Sequence, residues 1–186
     1  MCNILVGTRH RVGVGGQVQV GPFEQFVRTH ASSLMRTAFL LAGDQHAAED
    51  LVQSTLTHLY PRWDQVTSAD SQIAYVRRSL VNRFLGERRR ASARDLVVSE
   101  VPDRPDHRDM ADMVAASDEM QTLLNMLPAR QRTAVVLRYY HDAPDEQIAQ
   151  LLGCREATVR SLLHRALRTL RDGHTTEPMT GTEGSI

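Results

Sequence analysis

The chain has 186 residues, which is enough for one or two small domains, and its 22 basic residues balance 22 acidic ones. Cys2 and Cys154 are far apart and lack metal-ligand spacing, so the sequence predicts neither a disulfide framework nor a metal site. No stretch approaches the roughly 18 apolar residues of a membrane helix. Residues 1–21 lack the apolar run of a signal peptide. We therefore expect a cytoplasmic protein without membrane insertion.

The balanced total conceals a segregation of charge along the chain. Residues 71–95 contain seven arginines and two acidic residues, and residues 155–171 contain five arginines and one glutamate. Between them, residues 96–119 contain seven acidic residues and two arginines. Two basic segments therefore flank an acidic one, a distribution compatible with nucleic-acid binding in spite of the zero net charge.

The first predicted elements are helices with clear start and stop signals. Residues 1–21, rich in glycine and valine, have no helical periodicity, and we expect a flexible N-terminal extension there. Pro22 suits the start of a helix that ends near Gly43. Asp44 suits the N-cap of a second helix, which Pro61 stops.

A polar connector carrying Trp63 leads to a long third helix, from about Ser71 to Arg94. All three helices have apolar stripes at spacings of three and four. The predicted core positions are Phe23, Phe26, Val27, Leu34, Ala38, Leu41, Ala48, Leu51, Val52, Thr55, Leu56, Leu59, Ile73, Val76, Leu80, Val81, Phe84 and Leu85. We expect one compact helical domain over residues 22–95.

Residues 96–117 have two prolines and the acidic excess, which predict a flexible acidic linker. A second helical domain is expected over residues 118–172, and a disordered tail over residues 173–186. In the second domain, Ser117 or Asp118 is predicted to cap the first helix, and Pro128 is predicted to begin the second helix. Their apolar positions are Met120, Leu123, Leu124, Leu127, Val135, Val136 and Tyr139. The predicted fold is all-α, with two small helical domains joined by the linker.

Residues 146–171 (EQIAQLLGCREATVRSLLHRALRTLR) have the pattern of a helix-turn-helix. Ala149 permits close helix crossing, Gly153 suits a left-handed turn, and Val159 begins an apolar stripe. The opposite face carries side chains suited to phosphates and base edges. An ordinary amphipathic hairpin with a solvated arginine face remains the alternative.

The long basic helix has a second pattern suited to nucleic acid. Tyr75 and Asn82 are seven residues apart, so they lie two turns apart on roughly one face, with arginines around them. An aromatic ring can stack on an unpaired base, an asparagine can bind a base edge, and arginines can hold the backbone. Alternatively, Tyr75 packs in the core and the arginines face solvent.

Catalytic patterns are absent from the sequence. His46 and His58 share a helix but have no carboxylate or nucleophile at a workable spacing. There is no HExxH motif, phosphate-cradling glycine loop or Gly-x-Ser-x-Gly elbow. We therefore expect neither enzymatic activity nor a cofactor.

Four segments in order resemble bacterial extracytoplasmic-function (ECF) RNA polymerase sigma factors of the sigma-70 family, most closely the SigE-like group of actinobacteria. They are AAEDLVQSTLTHLYPRWD (47–64), AYVRRSLVNRFLGERRR (74–90), LPARQRTAVVLRYY (127–140) and the helix-turn-helix. The resemblance implies that the first domain binds core polymerase and the −10 promoter element, which it helps to melt. It implies that the second domain binds the −35 element.

The resemblance also implies partners and roles for individual residues. The partners are promoter DNA, the clamp of the largest polymerase subunit, the flap of the second-largest subunit and, in many members, an anti-sigma factor. The residues implied for the −10 element are Trp63, Tyr75, Arg77, Arg78, Asn82, Arg88 and Arg89. Those implied for the −35 element are Arg155, Thr158, Arg160, Ser161, His164, Arg165 and Arg168. Those implied for the polymerase clamp are Glu49, Asp50 and Gln53.

Two departures from the family pattern are visible. Arg83 and Phe84 follow Asn82 where many relatives have smaller or polar residues, and residues 1–21 have no counterpart in a minimal member. The acidic linker would thread through the polymerase cleft by resemblance, and its charge could occupy nucleic-acid-binding surfaces there; a plain soluble spacer is the alternative. The alternative function is a stand-alone helix-turn-helix regulator, which should carry a dimerisation helix or a ligand domain.

Overall fold

The computed structural model describes residues 20–95 and 115–174. Most of the predicted extension, linker and tail lies outside these ranges. Every regular element within them is helical, which confirms the all-α prediction. The helices are α1 (Pro22–Ala42), α2 (Gln45–Leu59), α3 (Trp63–Thr67), α4 (Gln72–Asp95), α5 (Ala115–Asn125), α6 (Ala129–Val135), α7 (Asp145–Leu152) and α8 (Glu156–His174), with a 3₁₀ turn at Tyr60–Arg62 and a π-helical turn at Val136–Tyr140.

The start and stop signals of the first two helices act as predicted. Pro22 begins α1, and Gly43 ends it with a φ of 97°, which favours glycine. A side chain at Gly43 would also collide with Asn125 of the second domain. The Asp44 carboxylate accepts a hydrogen bond from the Ala47 N–H at 2.8 Å and so caps α2. Helices α1, α2 and α4 pack together as the N-terminal domain (residues 22–95).

The connector after α2 is more structured than its polar sequence predicted. It forms the 3₁₀ turn and α3, and Trp63 is only 8% exposed. The Trp63 ring lies 4.9 Å from the Phe23 ring and 5.0 Å from the Phe26 ring, in edge-to-face geometry. Burial of this large aromatic side chain against α1 stabilises the folded connector.

The C-terminal domain (residues 115–174) contains α5 to α8, and α8 packs against α5, α6 and α7. Tyr139 was predicted to be a core position, which is wrong, because its side chain is 62% exposed. In the π-helical turn that begins at Val136, each residue advances less around the helix axis than in an α-helix, so Tyr139 does not return to the face of Val136, three positions before it. Met120, another predicted core position, is also exposed.

The helix-turn-helix has the geometry that its sequence predicts. Gly153 ends α7 in the left-handed conformation, with a φ of 59°. Ile148 and Val159 are fully buried between α7 and α8. Two packed helices joined by a short glycine turn therefore form the unit, and this fixes the angle at which α8 projects.

The two domains pack against each other, although the sequence predicted only a tether between them. Helices α1 and α4 contact α6, and the π-helical turn and α7 contact α1 and α4, respectively. One continuous cluster of buried apolar side chains includes residues of both domains. The domains therefore share a core in this arrangement, which we call the closed arrangement.

Arg132 is the central polar contact between the domains. Its Nη1 donates to the Leu41 carbonyl at 2.9 Å, and its Nη2 donates to the carbonyls of Asn125 and Leu127 at 3.1 and 3.3 Å. Burial, together with the nearby positive charge of Arg88, lowers the pKa of Arg132 to about 10. One charged side chain therefore satisfies carbonyls at the C-terminal ends of α1 and α5, where a cation is favoured.

His141 forms a second polar contact across the interface. Its Nε2 lies 3.0 Å from the hydroxyl oxygen of Thr37. Because that hydroxyl already donates its proton to the Ser33 carbonyl, His141 supplies the proton in their contact. Burial, and then the charge of Arg77, lowers the pKa of His141 from 6.5 to about 4. The interface therefore holds a neutral imidazole.

Arg132→Met should lower the free energy of unfolding by about 2–4 kcal/mol, because two buried carbonyls and one part-buried carbonyl lose their donor. The measurement is urea denaturation followed by circular dichroism. Arg130→Met is the matched control: exposed Arg130 donates to one carbonyl, that of Leu152, inside the C-terminal domain. An equal loss in both variants would contradict the account of Arg132.

The lowered pKa of His141 predicts a pH dependence of stability. The folded protein binds the proton less readily than the unfolded chain, so its stability is fully present above pH 6.5 and falls as the pH approaches 4. His141→Gln should make denaturation midpoints fall less steeply across this range. His58→Gln, which changes an exposed histidine of α2, should retain the wild-type slope. Identical slopes for wild type and His141→Gln would refute the assignment.

Candidate nucleic-acid interface

The outer face of α8, together with Arg155 just before it, presents the residues that the resemblance implied for the −35 element, and we call this surface the α8 face. All seven are exposed, whereas Val159, Leu162 and Ala166 are buried on the opposite side. The Arg165 Nε donates to the Ser161 carbonyl at 3.3 Å, and Arg168 pairs with Asp172 at 3.9 Å. Contacts this exposed exchange readily with phosphate or base contacts. The α8 face can therefore enter a groove of duplex DNA.

A second exposed basic surface lies on α4. Arg78, Asn82 and Arg89 are exposed, and at 100° per residue they fall within one narrow stripe of the helix. Tyr75 lies in the same stripe but is half-buried against the edge of the core. The α4 face (Tyr75, Arg78, Asn82 and Arg89) thus combines an aromatic ring, an amide and two guanidinium groups, as the sequence predicted for binding unpaired bases.

Two other arginines of the predicted −10 set lie on a different side of α4. Arg77 donates from Nη2 to the Ser33 hydroxyl of α1 at 3.3 Å and lies near His141. Arg88 donates to the Ala42 carbonyl at 3.2 Å and covers the Phe84 ring. Both fall in helical phase with the buried stripe of α4. The spacing of Arg77 and Arg88 from the apolar residues of α4 could therefore have predicted, from the sequence, that both pack against α1.

Trp63 and Tyr75 differ in their access to solvent. Trp63 lies in the aromatic cluster with Phe23 and Phe26, so its faces are covered in the closed arrangement. Tyr75 keeps part of its surface open. Of the two aromatic residues assigned to the −10 element, Tyr75 is the one placed beside Asn82 on an accessible face.

The residues predicted to bind the polymerase clamp lie on α2. Asp50 and Gln53 are exposed and line an open groove of about 580 Å³ between α2 and α4, which also includes Arg83. Glu49 is half-buried and accepts a hydrogen bond from Gln45 at 2.8 Å. Arg83 donates to the Ser54 carbonyl at 2.9 Å and so joins α2 to α4. Sequence reasoning missed this role for Arg83.

The described parts of the chain have no group of three histidine, cysteine or acidic residues that could hold a metal ion. In the same ranges, no helix is long and apolar enough to cross a membrane. Two parts of the described surface, the α4 face and the α8 face, carry hydrogen-bond donors and positive charge. This chemistry suits nucleic-acid binding at the α4 face and at the α8 face.

Two family models match this chain, and together they cover both domains. The model of sigma-70 region 2 matches residues 26–94, and the model of sigma-70 region 4 matches residues 117–170. The chain is also similar to a sigma factor of known structure, RpoE of Bartonella quintana, solved in complex with the anti-sigma factor NepR. That likeness has a TM-score of 0.66 at 25% identity and covers 84% of this chain and 98% of that one.

Curated relatives give the same result at higher identity. The chain is 33% identical to the RNA polymerase sigma-E factor of Streptomyces coelicolor over 154 residues, which are 83% of this chain and 86% of that protein. It is 34% identical to the ECF RNA polymerase sigma factor SigL of Mycobacterium tuberculosis over 146 residues, 76% of this chain and 82% of that protein. The chain therefore belongs to the sigma-70 family, as a member of its ECF class of RNA polymerase sigma factors.

Proposed function

We propose that this sigma factor makes two separate promoter contacts, with the α4 face on the −10 element and the α8 face on the −35 element. The observation that carries the proposal is the placement of these surfaces: each is basic, exposed and on a different domain. A stand-alone regulator would need only the α8 face. In the proposed role, the protein is a non-catalytic subunit that gives core polymerase its promoter specificity, and it works in the bacterial cytoplasm, where transcription takes place.

The roles of single residues follow from their exposure. Asn82 binds an unpaired base of the −10 element, with Tyr75 as a stacking platform and Arg78 and Arg89 on the backbone. Binding of unpaired bases stabilises the melted strand, which is how the domain assists melting. Arg77 and Trp63 join this interface only after the N-terminal domain rearranges, because each is engaged within the protein. Arg88 is exposed and needs only to release its hydrogen bond to the Ala42 carbonyl.

Within the C-terminal domain, the exposed arginines divide between base edges and phosphates. Arg160 and Ser161 lie early in α8, the part of a recognition helix that contacts base edges in a major groove. Arg165 and Arg168 lie further along the helix and bind phosphates. Asp50 and Gln53 on the groove between α2 and α4 contact the polymerase clamp, and the C-terminal domain contacts the flap. The complex of RpoE with NepR supports an anti-sigma factor as a further partner class for this chain.

Simultaneous binding of both elements requires the closed arrangement to open. Domains of about 74 and 60 residues in direct contact have centres roughly 30 Å apart. The −10 and −35 elements are about 25 base pairs apart, or about 85 Å along the duplex. Residues 96–114 connect the domains and are long enough to allow this separation, because nineteen residues span at most about 65 Å. The domains therefore separate on the promoter.

The proposed function is tested by transcription in vitro with purified core polymerase and a promoter library. Transcripts that start only when the protein is added support the role. Asn82→Ala should change base preference only at the −10 element, and Arg160→Ala only at the −35 element, with a loss of about 1–3 kcal/mol for a bidentate base contact. Each variant is the other's control.

Two results would contradict this proposal. The first is a failure of the wild-type protein to bind core polymerase. The second is a change at both elements in either variant, since the two surfaces would then not act separately.

A further inference from the structure

Asp145 connects the two helices of the helix-turn-helix through their polar side chains. Its Oδ1 accepts a hydrogen bond from Arg138 Nη2 in the π-helical turn. Its Oδ2 lies 3.8 Å from Arg160 Nη1 on α8. The Asp145 side chain is 21% exposed, whereas that of Arg160 is 64% exposed. A shielded carboxylate therefore holds one end of an exposed arginine.

The surroundings of Asp145 fix the position of its carboxylate. The contact with Arg138 holds one oxygen, and Asp145 begins α7. The backbone of α7 is fixed against α8 by the fully buried Ile148 and Val159. The carboxylate therefore cannot follow the Arg160 side chain when that side chain moves. Arg160 is instead drawn to a defined point beside the first turns of α8.

This geometry leaves Arg160 able to bind a base. A guanidinium has five N–H donors in a planar fork. In the described contacts, Asp145 engages the Nη1 side, so the edge formed by Nε and Nη2 can donate two parallel hydrogen bonds to a guanine. A long arginine side chain loses less rotamer entropy on binding if it is already held near the bound orientation.

The Asp145 carboxylate also disfavours contacts of Arg160 with phosphate groups, which are the same for every DNA sequence. A phosphate that approached Arg160 from the Nη1 side would meet the negative charge of Asp145. A neutral base edge meets no such repulsion. On that side of the guanidinium, the contact that holds Arg160 thus disfavours phosphate binding, which carries no sequence information.

We propose that Asp145 is a positioning residue that sets base selectivity at the −35 element through Arg160. The inference rests on the proposed function, since it requires Arg160 to contact the −35 element. Asp145 itself does not touch DNA in this account. It acts by restricting where the Arg160 guanidinium points.

The test uses the full chain with core polymerase and promoters that carry every single substitution in the −35 element, at one salt concentration. Asp145→Asn should reduce discrimination by about threefold to tenfold, at the same base pair at which Arg160→Ala reduces it. Asp145→Asn combined with Arg160→Ala should show no additional loss of discrimination. Asp145→Glu, which retains the charge, should recover part of it.

A matched control separates positioning from a plain change of charge. Asp172→Asn also removes a carboxylate paired with an α8 arginine, Arg168, but at the far end of the helix. It should alter overall affinity and leave base preference unchanged. Thermal denaturation of each variant reports any loss of folding. If Asp145→Asn is too unstable, Arg138→Gln releases the carboxylate from its other side and should relax selectivity at the same base pair.

Three results would overturn the inference, and they differ from a failure of the proposed function. Asp145→Asn could reduce discrimination equally at all −35 positions, which indicates a structural role. Its effect could persist in the Arg160→Ala background, which excludes action through Arg160. Arg160→Ala could leave base preference unchanged, so that Asp145 has nothing to position. A wild-type protein that fails to bind core polymerase or directs no promoter-specific transcription would instead contradict the proposed function.

Discussion

The closed arrangement depends on the placement of one buried cation, Arg132. A guanidinium removed from water is costly unless its donors are satisfied. The two terminal nitrogens of Arg132 meet this requirement with carbonyls from both domains, those of Leu41, Asn125 and Leu127, whereas its buried Nε has no hydrogen-bond partner among the described residues. Because one of these acceptors belongs to α1 and the others to the end of α5, both terminal nitrogens have an acceptor only when the domains are in contact. The shared apolar core and the contact of His141 with Thr37 form around this link.

The same packing leaves the α8 face and most of the α4 face exposed. The buried stripes of both helices face the core, so their basic stripes face solvent. The closed protein therefore exposes basic residues on the two surfaces that we propose to bind DNA, but in the proposed role it could not reach both promoter elements at once. Opening exposes the apolar surface of the interface and leaves Arg132 without the Leu41 carbonyl. Contacts with polymerase and promoter must compensate for this loss.

Local periodicity explains how much of this structure was predictable. Spacings of three and four identified the buried stripes of α1, α2, α4 and α8, and Asp44 and Gly153 identified a cap and a turn. The interface was not predictable in this way, because Arg132 and Leu41 are 91 positions apart. The prediction for Tyr139 was wrong because a π-helical turn changes the period, and the spacing of apolar residues does not mark such a turn. Within the candidate site, the residue type does not show which arginines belong to the α4 face. Their positions around the helix do, because Arg77 and Arg88 lie on the side of the buried stripe.

The most direct test of the account is the distance between the domains with and without a promoter. Fluorescent labels at Ser68→Cys and Thr122→Cys, both exposed and outside the DNA faces, would be placed in a chain with Cys2 and Cys154 replaced by serine. The account predicts efficient energy transfer in the free protein, where the domain centres are about 30 Å apart. It predicts near-complete loss of transfer in the promoter-bound holoenzyme. Equal transfer in the two states would contradict the account, since a sigma factor that stays closed cannot contact both elements.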